Sequence, residues 1–198
     1  MALSNYEFIL LRGLGREAAH WGDFPSALAA QTGARVLAVD LPGAGHQRAA
    51  GWPGSVEAAA ASVRAAAGPP SRPRVIVGIS LGGMVAMQWA ADAPLGLRAI
   101  VVGASSARGL SPPWQRMRPH SLLRTAAARW WRDPARREAA ILRSVSSRVD
   151  LHPTVLPRWV DIARTRPMSS AALRGQIVSA ARWRAPSALP VPALFLVG

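Results

Sequence analysis

The sequence predicts a doubly wound α/β protein with a mostly parallel sheet. Five short apolar runs, rich in β-branched and aromatic residues, are typical of strands that are buried on both faces. Helical patterns separate the first four runs, and this alternation favours parallel strands joined by right-handed crossovers. A chain of 198 residues, of which 50% are hydrophobic, can bury the core of one domain, and this composition excludes a disordered protein.

Each predicted strand ends at glycine, proline or serine residues, except the last, which reaches the end of the sequence. In chain order the predicted strands cover 6–11, 34–41, 74–79, 97–102 and 191–197. The predicted helices of the core cover 21–33, 55–67 and 81–91. Ser55 is the expected N-cap of the second helix, and Gly68, which two prolines follow, ends it.

The alternation of strands and helices stops after the fourth strand. Residues 112–187 contain eight prolines between short helical patches and no convincing strand. We therefore predict a core over 1–111, a helical insertion over 112–187 and a last core strand within 188–198. Within the insertion, apolar residues at i, i+4 spacing with arginines between them predict an amphipathic helix over 122–131.

The formal charge of +14 raises the question of a nucleic-acid partner. All 24 basic residues are arginines, a usage typical of GC-rich coding, so the charge alone indicates little. Fifteen of them lie in 112–187 with five of the eight tryptophans, a combination that can bind phosphate and stack bases. They form no basic run, however, and they coat the outer face of the predicted amphipathic helix. The sequence therefore favours a protein that binds no nucleic acid.

Residue types that are absent from the sequence exclude several kinds of site. The chain has no cysteine, which excludes disulfides, cysteine zinc sites and cysteine nucleophiles. It has no lysine, which excludes a Schiff base and a P-loop lysine. No histidine and carboxylate cluster indicates a metal.

The sequence contains neither a signal peptide nor a membrane span that we can identify. The first residues lack the basic n-region of a signal peptide. The longest uncharged stretch, 75–91, holds glycine, serine and glutamine residues, which are unfavourable for a membrane span. We predict a cytoplasmic protein without a membrane partner.

A Gly-x-Ser-x-Gly motif lies between the third strand and the third helix. Its residues are Gly78, Ser80 and Gly82, and Gly83 follows directly. A nucleophilic serine needs this context, because a sharp turn projects its hydroxyl above the sheet and small residues let strand and helix approach. The N–H of Leu81 at the helix start then faces a developing oxyanion.

With this motif and its surroundings the chain resembles the α/β-hydrolases, in particular the esterase, enol-lactonase and cofactor-free haloperoxidase branch. The motif continues into Gly83 and Met84, as is usual there. The segments 10–15, 39–46 and 191–198 resemble the oxyanion loop, the Asp-x-Pro-Gly-x-Gly segment and the strand before the acid loop. The resemblance covers the chain end to end, and the insertion lies where the family carries its cap.

The resemblance implies a serine hydrolase of a carboxylic ester, a lactone or a similar small acyl substrate. Ser80 would attack the carbonyl, and the N–H groups of Leu81 and Leu14 would bind the oxyanion. Gly13 and Met84 would line the pocket. No cofactor and no metal are implied.

Two departures from the family pattern bear on activity. Arg12 stands where the family usually has histidine. The catalytic Asp and His of the family follow the strand that resembles 191–198, whereas this sequence stops at Gly198. We therefore expect the 198-residue chain to be inactive by itself. His20 is expected to make a structural hydrogen bond and His46 to be a solvated turn residue.

Two other functions stay open at this stage. The chain could be a relic or binding module of the same fold, whose exposed last strand would favour self-association. Alternatively, Gly13 and Gly15 after the first strand, with Asp40 after the second, outline a Rossmann-type dinucleotide site. Pro25 interrupts the helix that such a site needs, and the Rossmann hypothesis leaves the motif around Ser80 unexplained.

Overall fold

The chain forms two compact units in a computed structural model that describes residues 3–92, 95–110, 112, 133–148, 150 and 152–197. The first unit comprises Met1–Leu110 and Met168–Gly198, and the second comprises Ser111–Pro167. The second unit ends 20 residues before the predicted insertion does, because the last helix packs with the first unit. Whether the second unit acts as a cap stays a prediction.

The first unit is built on a five-stranded sheet in which every pair of neighbouring strands is parallel. In chain order the strands are β1 (Glu7–Leu11), β2 (Arg35–Val39), β3 (Arg74–Ile79), β4 (Leu97–Gly103) and β5 (Ala193–Leu196). Their spatial order is β2-β1-β3-β4-β5. This sheet confirms the predicted parallel α/β architecture, and β3 has the predicted bounds.

Helices flank the sheet in the first unit. In chain order they are α1 (Phe24–Thr32), α2 (Val56–Ala67), α3 (Leu81–Ala91) and, after the second unit, α6 (Ser170–Arg182). The second unit contains α4 (Pro134–Val145) and α5 (His152–Thr165). The Ser55 hydroxyl accepts a hydrogen bond from the Ala58 N–H, which confirms the predicted N-cap of α2.

Two hydrophobic clusters lie on the two faces of the sheet, since successive side chains of a strand point to opposite sides. Ile9, Leu11 and Ile76 belong to the larger cluster, together with residues of α2 and α3. Phe8 and Leu10 belong to the smaller cluster, together with residues near α1. Helices on both faces explain why the strands read as continuous apolar runs.

Two sequence predictions are wrong in detail. The first helix begins at Phe24 and not at 21, because residues 18–21 form a short 3-10 helix that Gly22 ends with a φ of 61°. The second error concerns β5, which the sequence predicts to be buried on both faces. Every residue of β1 is buried, as predicted, but every residue of β5 is exposed, because β5 lies at the edge of the described sheet. Self-association through β5 stays a prediction.

The predicted helix over 122–131 lies outside the described residues. Within the described residues, no helix is long and apolar enough to cross a membrane.

Candidate active site

Ser80 occupies the turn between β3 and α3 in a strained conformation. Its φ is 55° and its ψ is −117°, in a region that residues with a side chain rarely adopt. Such a conformation costs about 1–3 kcal/mol and persists only where the surrounding structure enforces it. The Ser80 N–H donates to the Gly103 carbonyl at 2.8 Å, and the Ser80 carbonyl accepts from the Ser105 hydroxyl at 2.8 Å. Neighbouring elements therefore hold this turn from both sides.

The glycines around Ser80 allow three backbone segments to meet. A Cβ on Gly78 would lie 2.3 Å from the Gly82 carbonyl oxygen. A Cβ on Gly82 would lie 2.4 Å from the Leu11 carbonyl oxygen, and one on Gly83 would lie 2.9 Å from the Ser105 Cβ. The structure thus brings the predicted glycines Gly78, Gly82 and Gly83 together, at contacts that no larger residue permits.

The loop after β1 lies directly beside Ser80. A Cβ on Gly13 would lie 3.0 Å from the Ser80 Cβ and 3.6 Å from the Ser80 Oγ. The Gly13 carbonyl accepts from the Arg16 N–H at 3.1 Å, which closes a turn with Leu14 and Gly15 at its centre. Gly15 has a φ of 69°, as the third position of a type II turn requires. Two of the predicted site segments are therefore adjacent in space.

Two backbone donors near Ser80 have no acceptor within the described chain. Leu81 is the first residue of α3, so its N–H has no intrahelical acceptor. The Leu14 N–H, inside the turn, donates no hydrogen bond to any described residue. Leu81 is buried, Met84 is buried one turn further along α3, and Leu14 is half-buried. Both predicted oxyanion donors therefore lack a hydrogen-bond partner among the described residues, and their role stays a prediction.

A buried glutamine on α6 positions the same loop. The Gln176 Oε1 accepts from the Gly15 N–H at 2.9 Å, and its Nε2 donates to the Pro42 carbonyl at 3.4 Å. Gln176 is fully buried. It therefore ties the loop after β1 to the loop after β2. Sequence analysis did not identify this residue, although Gln176 and Ser179 are polar residues on the buried face of α6, and that spacing is a usable signal.

Replacing Gln176 by leucine is expected to lower the free energy of unfolding by about 1–3 kcal/mol, because two buried polar groups lose their partners. The Gly15 amide should then exchange its hydrogen faster. Chemical denaturation and hydrogen exchange measure the two effects. The matched control is Gln31→Leu on the exposed face of α1, for which we expect a change within about 0.5 kcal/mol. Equal losses in both variants would contradict the positioning role.

Asp40 holds the loop that follows β2. Its Oδ1 accepts from the Ala18 N–H at 2.6 Å, and its Oδ2 accepts from the His46 N–H at 2.8 Å. Asp40 therefore joins the loop after β2 to the chain that follows the loop after β1. Its carboxylate is thus committed to backbone donors, and the chain after Gly15 forms a turn and a 3-10 helix before α1 begins. Both observations count against the dinucleotide site.

The two histidines of the first unit, His20 and His46, make no hydrogen bond with Ser80. Its Oγ makes no hydrogen bond with any described residue. The His20 ring nitrogens lie 3.0 Å from the Arg16 Nη1 and 3.1 Å from the Glu17 N, and His46 is exposed. The structural role predicted for His20 and the solvated position predicted for His46 are confirmed. His152 lies in the second unit, and His120 lies outside the described residues.

An open cleft lies elsewhere in the first unit, away from Ser80. Among the described residues, no group of three or more histidine and carboxylate residues could hold a metal. The cleft, of about 490 Å³, is lined by Arg64, Arg74 and Trp89 among others. It lies at the amino ends of β3 and β4, whereas ligands of open parallel sheets bind at the carboxyl ends, where Ser80 is. The cleft therefore does not belong to the candidate active site.

Comparison with known proteins identifies the family. The sequence profile of the Alpha/beta hydrolase family matches residues 8–198. The chain belongs to the alpha/beta hydrolase family. This confirms the predicted family, and the strand, turn and helix around Ser80 are the hydrolase core of that fold.

Individual relatives agree with this assignment. A pimeloyl-[acyl-carrier protein] methyl ester esterase of Methylococcus capsulatus is 34% identical over 122 residues, which is 61% of this chain and 45% of the relative. This chain therefore matches less than half the length of that curated relative. The esterase RhEst1 of Rhodococcus sp. ECU1013 superposes with a TM-score of 0.69 at 19% identity, covering 99% of this chain and 73% of that one. The enol-lactonase of Burkholderia xenovorans LB400 superposes with a TM-score of 0.65 at 22% identity, covering 96% and 71%.

Proposed function

We propose that this alpha/beta hydrolase cleaves a carboxylic ester, a lactone or a similar small acyl substrate through Ser80. The strained turn at Ser80 carries the proposal, because it places a half-buried hydroxyl with no hydrogen bond to described residues near two backbone donors that also have no acceptor among them. The ester chemistry of the relatives supports the same reaction class. The cytoplasmic location stays a prediction.

The proposed reaction proceeds through an acyl-enzyme. The Ser80 Oγ attacks the carbonyl carbon and loses its proton to a base, while the carbonyl π electrons move to the oxygen. The resulting oxyanion accepts hydrogen bonds from the N–H groups of Leu81 and Leu14, which are stronger for the charged oxygen than for the neutral carbonyl. Collapse of the tetrahedral intermediate expels the alcohol, which takes up the proton, and water then hydrolyses the acyl-serine. None of these steps needs a cofactor or a metal.

The base is the part of this mechanism that the described residues do not supply. A serine without a base is a weak nucleophile at neutral pH. We therefore expect the 198-residue chain to form an acyl-enzyme slowly and to hydrolyse it more slowly still. An external base should accelerate acylation, because the oxyanion donors do not depend on it.

Chemical rescue tests the proposal on the chain as it is. We expect p-nitrophenyl acetate with added imidazole to leave one acyl group on Ser80, which mass spectrometry of the intact chain and of its peptides detects. The rate should rise with imidazole concentration. Ser80→Ala should reduce labelling to the background of the uncatalysed reaction, whereas the matched control Ser71→Ala, at an exposed serine that precedes β3 at the strand's other end, should retain it.

Labelling of the Ser80→Ala variant at the rate of the unaltered chain, at every imidazole concentration, would contradict the hydrolase proposal. The relic or binding module of the same fold would then be the better explanation.

A further inference from the structure

Two buried N–H donors beside the loop after β1 have no acceptor. The Arg12 Nε and the Trp21 Nε1 are both buried, and neither donates a hydrogen bond to any described residue. The Arg12 guanidinium lies over the Trp21 ring, with its carbon 4.9 Å from the ring centroid. Two unsatisfied donors of this kind at one place are unusual in a folded protein, where buried polar groups are almost always paired.

Arg12 is a buried cation with a second cation, Arg16, nearby. Arg12 forms no ion pair with a carboxylate of the described residues. Burial, together with repulsion from Arg16, lowers the pKa of Arg12 to about 10, so the side chain remains a cation at neutral pH. The Arg12 Nη1 and Nη2 atoms are not among the buried unsatisfied atoms and make no hydrogen bond to described residues, so solvent reaches them. The guanidinium therefore presents two open donors of its fork to a ligand.

An aromatic surface adjoins this cation. The rings of Trp21 and Phe24 stack with their centroids 5.3 Å apart, and Phe24 is 44% exposed. Arg12 precedes Gly13, which lies against Ser80. A fork of N–H donors matches a carboxylate in geometry and charge, and the stacked rings suit the apolar part of an organic acid.

We propose that the Arg12 guanidinium, stacked on the Trp21 ring, binds the carboxylate of an organic acid beside the loop that carries Leu14. It follows that the acyl substrate bears a second, acidic group, such as that of a dicarboxylic monoester. This statement about the substrate rests on the proposed function, whereas the binding of a carboxylate does not.

Glutarate binding to the Ser80→Ala variant, measured by calorimetry, tests the site without any turnover. We expect Arg12→Met to weaken binding about tenfold or more, because the charge and the fork are both lost. Trp21→Phe keeps an aromatic face beneath the guanidinium but a smaller one, so its loss should be smaller, about threefold. The matched control Arg98→Met removes the same charge from an exposed position on β4 and should leave binding unchanged.

A conservative variant at Arg12 distinguishes loss of the binding site from loss of the folded structure. Arg12→Lys retains the charge without the fork and should bind glutarate more weakly than the unaltered chain but more tightly than Arg12→Met. Circular dichroism of each variant reports folding. Absence of glutarate binding to the folded Ser80→Ala chain, or equal binding by Arg12→Met, would overturn the carboxylate site.

Acylation rates then test the statement about the substrate. With imidazole present, the p-nitrophenyl monoester of glutaric acid should acylate Ser80 faster than p-nitrophenyl pentanoate, which has the same chain length and no charge. Arg12→Met should abolish this preference, whereas the matched control Arg98→Met should preserve it and leave both rates nearly unchanged. If glutarate binds but the two esters acylate Ser80 at the same rate, the acidic substrate class alone is overturned. If neither ester acylates Ser80, the proposed function is overturned and the binding result stands.

Discussion

Replacing Gly78 by alanine is expected to lower the free energy of unfolding by about 3 kcal/mol, the upper end of the usual cost of overpacking. The new Cβ would lie 2.3 Å from the Gly82 carbonyl oxygen and 2.7 Å from the Gly83 nitrogen. Both are backbone atoms, so no side-chain rotation relieves the contact. The start of α3 must therefore move away from β3, and Ser80 lies between these two elements. Acylation of Ser80 should fall with stability.

The matched control for this variant is Gly103→Ala on the neighbouring strand. Gly103 pairs with Ile79 in the β3–β4 register, and a Cβ there would meet Ile79 Cγ1 only at 3.7 Å, an ordinary contact. The change should alter stability by less than about 1 kcal/mol, in either direction, because alanine restricts the unfolded chain. Chemical denaturation of both variants gives the comparison. Similar losses in the two would show that close approach at Gly78 is not the cause.

The sequence predicts the turn at Ser80 well because the determinants are local. The apolar run before it, the glycines within it and the apolar helix after it lie within about 20 consecutive residues, and each leaves its own pattern. The same applies to the bounds of β3 and α3 and to the N-cap Ser55. The geometry of the motif is predicted from these local patterns, whereas its role in ester hydrolysis is inferred from the resemblance to a family.

The contacts that position the site are not local, and the sequence did not reveal them. Gly15 and Gln176 are 161 residues apart, and no periodicity links a loop to a helix over that distance. Ser105 holds the Ser80 carbonyl from the loop after β4, 25 residues further along the chain. The unsatisfied donors of Arg12 and Trp21 likewise become apparent only when the packing shows which acceptors are missing. Local sequence patterns therefore predict the helices and strands, but the contacts between these elements depend on how they pack in the folded chain.

The second large effect is expected at the opposite end of the sheet, where Glu7 begins β1. Its side chain is 1% exposed, and its Oε2 accepts from the Arg74 Nε at 2.6 Å. Arg74 is also buried, and its remaining N–H groups donate to the carbonyls of Ala67, Gly68 and Pro69 at the end of α2. This ion pair therefore joins β1, β3 and the carboxyl end of α2.

Replacing Glu7 by alanine is expected to lower the free energy of unfolding by about 3–5 kcal/mol, because Arg74 keeps a buried charge without its carboxylate. Chemical denaturation at neutral pH measures the loss. Arg35 also pairs with Glu7, at 3.2 Å, but is 58% exposed, so the matched control Arg35→Ala should cost less than about 1 kcal/mol. A similar loss in both variants would contradict the assignment of the stabilisation to the buried pair.

The double variant Glu7→Leu with Arg74→Met shows which effect destabilises Glu7→Ala: the loss of the ion-pair attraction and hydrogen bonds, or the buried guanidinium that is left unpaired. If the cost of Glu7→Ala arises from the unpaired guanidinium, removal of both charges should restore much of the stability, even though the attraction is gone. If the cost arises from the hydrogen bonds that Arg74 makes to α2, the double variant should be the least stable of the set. Glu7 pairs with Arg74 in the same register that pairs Leu11 with Gly78, and Leu11 lies at the other end of β1, adjacent to the loops of the site. The folded fraction of each variant should therefore acylate Ser80 at the same rate, since the ion pair stabilises the sheet and does not contact the reacting groups.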